Sequence, residues 1–405
     1  MTYSKLISYL FVTTTIVSLD LPLFRAYPTL AYVLIYICVL IFIFLGRIDK
    51  EFQFVSSFPR KVFTTFWLYS IFIIIYGLIY SDVYWDYKIV MIRFIPGVII
   101  SFAIFLGLRF EESITLLKLI IKKILPIICI IGLFSYILFY NYHILGLDNY
   151  LSRSMEPLYF FILATPFLKR EYKIYVIIFS IICIIIDPEW RVNILRLLSC
   201  YSFILIYYLF SLRKIYLNIM GIIFFSIPLI FIYSGIKGNF DIFELMEADN
   251  ENNNTFQVNT RTFLYEEIFA SIVDEENNLF IGGGASAKYK TTYFHDQKRS
   301  IYVDQTRYMS EVAFLNTLKN SGIIGVLIDA LIIFVSGYYA INRSNNNFSK
   351  LLGLYMYFSW IRYFLDMPQA LNSGYFFYYF IIGVCLNNSF RMSSDKKIKL
   401  FFKSL

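Results

Sequence analysis

The sequence predicts an all-α, polytopic integral membrane protein of about twelve transmembrane helices, and three observations carry that prediction. Of its 405 residues 59% are hydrophobic and 16% charged, where a soluble domain carries about 25% charged residues. Apolar runs near the roughly 20 residues that a bilayer crossing needs recur along the whole length. Lys and Arg also favour alternate loops, as the positive-inside rule requires. This composition excludes a soluble enzyme, and a net charge of +8 distributed in this way implies no nucleic-acid partner.

Taken in order, the candidate spans are residues 6–24, 27–46, 62–81, 89–108, 124–140, 154–168, 172–187, 190–210, 215–234, 321–341, 350–366 and 370–387. The first imitates a signal peptide, because Lys5 precedes an apolar stretch, but no small-residue cleavage site follows it. The sixth is short and interrupted by Pro157 and Pro166, and Asp187 with Pro188 makes a tight turn between the seventh and eighth. Summed over alternate loops, one side holds 21 Lys and Arg, whereas the short loops of the other hold 3, at Arg25, Lys88 and Arg153. That asymmetry puts both termini in the cytoplasm and sets the basic side against anionic lipid headgroups.

The chain then divides into residues 1–234 with helices one to nine, an extracytoplasmic loop at 235–320, helices ten to twelve in 321–390, and a basic cytoplasmic tail at 391–405. Residues 235–310 are acidic, with 12 Asp and Glu against 7 Lys and Arg. Within them EADNENNNT from Glu247 reads as a solvated loop, Thr260 to Val273 as an amphipathic helix, and Gly282, Gly283 and Gly284 as a turn. Cys38, Cys129, Cys183, Cys200 and Cys385 lie in apolar runs away from any other Cys or His. Neither disulfides nor a metal cluster is expected from them, and two histidines, His143 and His295, are too few for a metal site. No cofactor is expected.

A charge inside a span costs several kcal/mol unless it meets a partner or a cavity, so each one needs a reason. Arg93, Arg191, Arg196 and Arg362 all fall in the outer half of the membrane in this topology, with Arg196 roughly 7.5 Å deeper than Arg191. Each either snorkels to the outer headgroups or holds a buried anion. Four at one level, on the side whose short loops otherwise avoid positive charge, favour the anion. The guanidinium fork suits phosphate, so the ligand that fits is a lipid-linked diphosphate. Asp366, four residues beyond Arg362, offers that arginine an alternative partner.

In the loop, Arg261 shares a helical face with Leu264, Tyr265, Ile268, Phe269 and Ile272, while Glu266, Glu267 and Asp274 take the other. That face points at the membrane surface or at the protein. Further on, in EVAFLNTLKNSGIIG, Glu311 leads a stripe through Leu315, Leu318, Gly322 and Gly325. A carboxylate capping a buried stripe suits a general base, and its alternative is an ion pair with Arg307 four residues earlier. Tyr289 and Tyr308 belong to an aromatic group that reads as sugar platform or interfacial belt, and Asp82 with Asp86 offers too few oxygens for a divalent ion.

The order of these parts resembles the O-antigen ligase and O-antigen polymerase superfamily of bacterial membrane glycosyltransferases, which has a GT-C-like all-α fold. The likeness rests on about twelve spans, the long outer loop between spans nine and ten, PEWRVNILRLL, NTRTFLYEEIF, the Gly-rich break and EVAFLNTLKNSGIIG. The ligase branch typically has His where Glu311 stands, which favours the polymerase branch. The resemblance implies metal-independent polymerisation of oligosaccharide repeats carried on undecaprenyl diphosphate, at the outer face of a bacterial inner membrane. Arg191 and Arg261 would hold the donor diphosphate, with Arg93, Arg196 and Arg362 lining the site, and Glu311 would take the acceptor proton. The implied partners are undecaprenyl-diphosphate-linked glycans, membrane lipids, and a chain-length regulator and flippase of the same pathway. A ligase passing glycan to a lipid acceptor and a lipid-linked oligosaccharide flippase are the competing readings.

Overall fold

The structure, a computed structural model, describes residues 57–139, 156–186, 191–210, 212–236, 262–274, 279–291, 306–365 and 373–405. The first two expected spans, the Asp187 and Pro188 turn, Arg261, His143, His295 and Asp366 lie outside the described residues. In chain order the principal helices are α1 (Ser57–Ile79), α2 (Tyr84–Leu108), α3 (Leu125–Phe139), α4 (Glu156–Leu163), α5 (Arg170–Ile186), α6 (Arg191–Leu209) and α7 (Lys214–Ile236). They continue with α8 (Thr262–Asp274), α9 (Ala313–Asn342), α10 (Asn347–Tyr363), α11 (Ser373–Leu386), α12 (Asn388–Met392) and α13 (Asp395–Lys403). A ribbon of β1 (Tyr289–Lys290) and β2 (Thr306–Arg307) pairs Tyr289 opposite Arg307 and is the one sheet among the described residues.

The protein is therefore mostly helical, and α1, α2 and α9 are each long and apolar enough to cross a membrane. The outward faces of several helices support that environment. Leu68 and Ile75 on α1, Ile181 on α5, Leu205 on α6, and Ile222 and Leu229 on α7 are all exposed. Large apolar side chains repeated in this way across neighbouring helices would be an aggregation liability in water and are at ease in hydrocarbon. The interior is aromatic. Phe110, Phe160, Phe348, Phe390 and Phe402 form one buried cluster, with Phe110 and Phe390 centroids 4.2 Å apart, and it seats α13 by its apolar face.

The tenth expected span departs from expectation in two ways. Its helix starts at Ala313, inside the residues assigned to the loop, and it is broken at Gly322, whose φ of 61° is left-handed. A break inside a helix strands backbone groups that must find partners away from water. The Gly-rich segment supplies them. The amides of Gly283 and Gly284 donate to the carbonyls of Lys319 and Asn320 at 2.9 Å each, and those of Ile323 and Ile324 donate to Leu279 and Phe280 at 2.9 and 3.2 Å. A Cβ at Gly322 would collide with the Phe280 backbone, so glycine is needed for conformation and for space alike. The three glycines are thus a splice for α9 rather than a simple turn.

The amphipathic helix α8 resolves the choice between membrane and protein. Leu264, Tyr265, Ile268 and Ile272 are buried within the fold, and the Tyr265 hydroxyl donates to the Phe364 carbonyl just past α10 at 2.9 Å. A second anchor ties the segment before α9 to the start of α2. Asp86 accepts from the Asp82 and Val83 amides, from Tyr308 at 2.7 Å, and pairs with Lys288 at 2.8 Å. Asp86 is therefore a tether and not half of a cation site. Burial and the bond to Asp86 push the Tyr308 phenol well above its ordinary pKa, so it stays a proton donor. Tyr289, also buried, is likewise unavailable as a sugar platform.

Candidate functional site

Two of the four arginines expected inside spans converge on a residue that the sequence did not single out. Glu156 opens α4, Arg196 lies in the second turn of α6, and Arg362 lies in the last turn of α10. Arg196 Nη1 meets Glu156 Oε2 at 2.5 Å, and Arg362 Nη1 meets Glu156 Oε1 at 2.8 Å. The Tyr355 hydroxyl donates to the same Oε1 at 2.9 Å. All three charged side chains are no more than 5% exposed. One carboxylate between two guanidinium groups leaves the cluster with a formal charge of +1, and a buried charge is tolerated when it is paired in this manner. Arg362 thus finds an acid on another helix.

A cavity lies between α1, α2, α9 and α11. Arg93 lines it from α2, Tyr69 and Ser70 from α1, Thr317, Asn320 and Asp329 from α9, and Tyr375 from α11. Arg93 belongs to a π-helical turn, Val90–Phe94, inserted into α2. Such turns add a residue to the helix, re-aim side chains and are frequent at functional sites. Its guanidinium touches the Met309 sulfur, so the segment leading into α9 forms part of the same wall. Gly325 lines the cavity from α9, four residues before Asp329 and on the same face.

A smaller cavity adjoins the first, with Asp329 and Tyr375 lining both. Its other walls include Ser359, Arg362, Tyr363 and Tyr378. Taken as one crevice, the pair is lined by Arg93 in the first cavity, by Arg362 in the second and by one carboxylate, Asp329, in both. Asp329 Oδ2 accepts from Tyr363 at 2.7 Å and from Thr317 at 3.3 Å.

The residues expected to act therefore fall into three groups. Arg93 and Arg362 line the crevice, and Arg196 is joined to Arg362 through Glu156. Arg191 stands at the first position of α6, and Arg261 immediately precedes the described start of α8. Glu311 departs from its expected setting. It precedes α9, is 58% exposed, and pairs with Arg307 at 3.6 Å. The reason is local: Val312 is extended, at φ −113° and ψ 122°, so the helical stripe stops short of Glu311. Glu156 went unnoticed because it sits at the edge of an apolar run beside Pro157. Its signal was indirect, since two arginines in other spans needed an acid. Compared with protein-family models, with curated proteins and with solved structures, the chain matches none.

Proposed function

We propose that this chain is a multi-pass glycosyltransferase of a bacterial inner membrane, which polymerises oligosaccharide repeats carried on undecaprenyl diphosphate. The observation that carries this reading is the crevice lined by Arg93, Asp329 and Arg362 within an apolar helical body. A diphosphate needs fixed cationic donors, an acceptor hydroxyl needs a carboxylate, and a polyprenyl tail needs an apolar flank. The alternation of basic loops adds an outer-face location with both termini in the cytoplasm, and about twelve spans. The order of parts shared with the O-antigen polymerase and ligase superfamily supplies the reaction.

In this reading Arg93 meets the donor diphosphate, with Arg191 and Arg261 as further donors, and Arg196 and Arg362 add positive potential behind them. The guanidinium groups stabilise charge that builds on the leaving diphosphate as the glycosidic bond breaks, a role that asks for no metal. Two carboxylates stand near enough in sequence or space to serve the acceptor: Asp329 in the crevice wall, and Glu311, two residues past the lining residue Met309.

A lipid-linked oligosaccharide flippase is the second reading, favoured by a carboxylate about two turns below the Gly322 break in α9. Deletion in the native host separates the two. A polymerase mutant passes single repeats onward, giving surface lipid capped with one unit, whereas a flippase mutant traps single repeats on the cytoplasmic leaflet. The expected result is the first, and trapped repeats would overturn the polymerase reading.

A further inference from the structure

We infer that Asp329 is the catalytic base of the site, accepting the proton of the incoming sugar hydroxyl at Oδ1; this rests on the glycosyl-transfer reading and adds a residue to it. Among the described residues, Asp329 is the one acid that lines either cavity, and it lines both. Its environment differs from that of four other carboxylates in the fold. Glu156 is clamped by two arginines, Asp86 by Lys288, Glu311 by Arg307 and Glu111 by Lys397. Asp329 has no cationic partner among the described residues, only the hydroxyls of Tyr363 and Thr317, and both address Oδ2.

That asymmetry matters chemically. Two hydroxyl donors fix the plane and rotamer of the carboxylate through one oxygen, and the other oxygen receives no hydrogen bond among the described residues. A carboxylate inside a helical membrane protein without a cation is costly, and such residues are kept where they do something. The residues around it also make room. Gly325 lines the first cavity four positions before Asp329 on the same face of α9, with no side chain of its own between the carboxylate and that part of the wall. Arg93 and Asp329 then face a common space, one suited to the leaving diphosphate and the other to the attacking hydroxyl.

The step balances without another reactant. The acceptor O–H proton passes to Asp329 Oδ1 as the hydroxyl oxygen forms its bond to the anomeric carbon of the donor chain. The anomeric carbon–oxygen bond to the diphosphate breaks, and its electron pair leaves with the polyprenyl diphosphate. Water then takes the proton from Asp329 and restores the carboxylate.

The test uses the full chain in lipid vesicles with an undecaprenyl-diphosphate-linked repeat as probe, following chain elongation and, separately, retention of the probe by the protein. Asp329→Asn is expected to lower elongation by roughly 10²- to 10⁴-fold while retaining the probe as the parent does. Asp329→Glu is expected to restore part of the rate with a displaced acidic limb in the pH–rate profile. Elongation by Asp329→Asn within about threefold of the parent, or parallel loss of probe retention, would overturn the assignment. If the Asn variant does not accumulate, the Glu variant decides: a parental pH profile overturns the role in proton transfer. Absence of elongation by the parent chain would instead strike the glycosyl-transfer reading itself, and the role of Asp329 with it.

Discussion

Glu156 and Asp329 are both carboxylates inside the helical body, and the protein treats them in opposite ways. Glu156 is gripped by Arg196, Arg362 and Tyr355, with each oxygen held by a guanidinium. Asp329 is held by two neutral hydroxyls through a single oxygen and borders two cavities. The contrast separates a charge that holds helices together from one left open to a ligand. In the first case the Coulombic attraction is already satisfied, and the cluster joins α4, α6 and α10. In the second the hydrogen bonds orient the group and leave its charge unmatched.

The largest expected effect follows from the first site. Glu156→Gln leaves two buried guanidinium groups without their acid, and removing one member of a buried ionic cluster costs about 3–5 kcal/mol. The variant should accumulate poorly and melt at lower temperature in detergent. The sharper experiment removes all three charges together, as Glu156→Leu with Arg196→Met and Arg362→Met. Such replacements are often neutral or stabilising, so folding should return. If the refolded triple variant still elongates chains, Arg196 and Arg362 only hold the fold; if it folds and is inactive, their potential serves the diphosphate as well.

This first site also marks how far the sequence could be read. Helices were legible because apolar length is a property of contiguous residues, and the described parts of the stretches read as spans three to twelve are mostly helical, three of those helices being long and apolar enough to cross a membrane. Arg196 and Arg362 were legible as charges that needed a reason. Their common partner was not, because Glu156 lies 40 and 206 residues away in sequence and only packing joins them. Leu315, Leu318, Gly322 and Gly325 of the expected stripe are buried, but Glu311 does not lead it, for a different cause. The stripe assumed one continuous helix, whereas the extended Val312 ends that helix before Glu311 and the left-handed Gly322 divides it again. Backbone breaks of this kind are set by what approaches from elsewhere, here the segment from Leu279 to Gly284.

The second site predicts a smaller loss that spares the fold. Arg93 lies on a π-helical turn at the cavity and is exposed to it, so Arg93→Lys should accumulate normally. Lysine keeps the charge and loses the planar fork. A charge-assisted hydrogen bond contributes about 1.5–3 kcal/mol, so elongation should fall by about 10- to 100-fold. The loss should appear as weaker retention of the lipid-linked probe. Parental retention and elongation in Arg93→Lys would sever Arg93 from the diphosphate and leave the crevice without its cation in the first cavity.

The smallest effect is expected at Glu311, and it contests the assignment to Asp329 most directly. Glu311 is more than half exposed and its pairing with Arg307 spans 3.6 Å. Ion pairs in such settings contribute about 0–1 kcal/mol. With Asp329 as base, Glu311→Gln should fold as the parent does and change elongation by no more than a few-fold. Arg307→Ala should act through the same pair, so that the double variant is no worse than the more affected single one. With Glu311 as base, the outcome differs in kind: Glu311→Gln alone should lose roughly 10²- to 10⁴-fold in rate at matched protein levels, and Arg307→Ala should not reproduce it. Measuring all three on one lipid-linked repeat, beside Asp329→Asn, assigns the proton acceptor to the exposed residue that precedes α9 or to the interior of that helix. A loss at Glu311 with retained rate at Asp329 would reverse the comparison, making the solvent-facing carboxylate the chemical group and the inner one a packing residue.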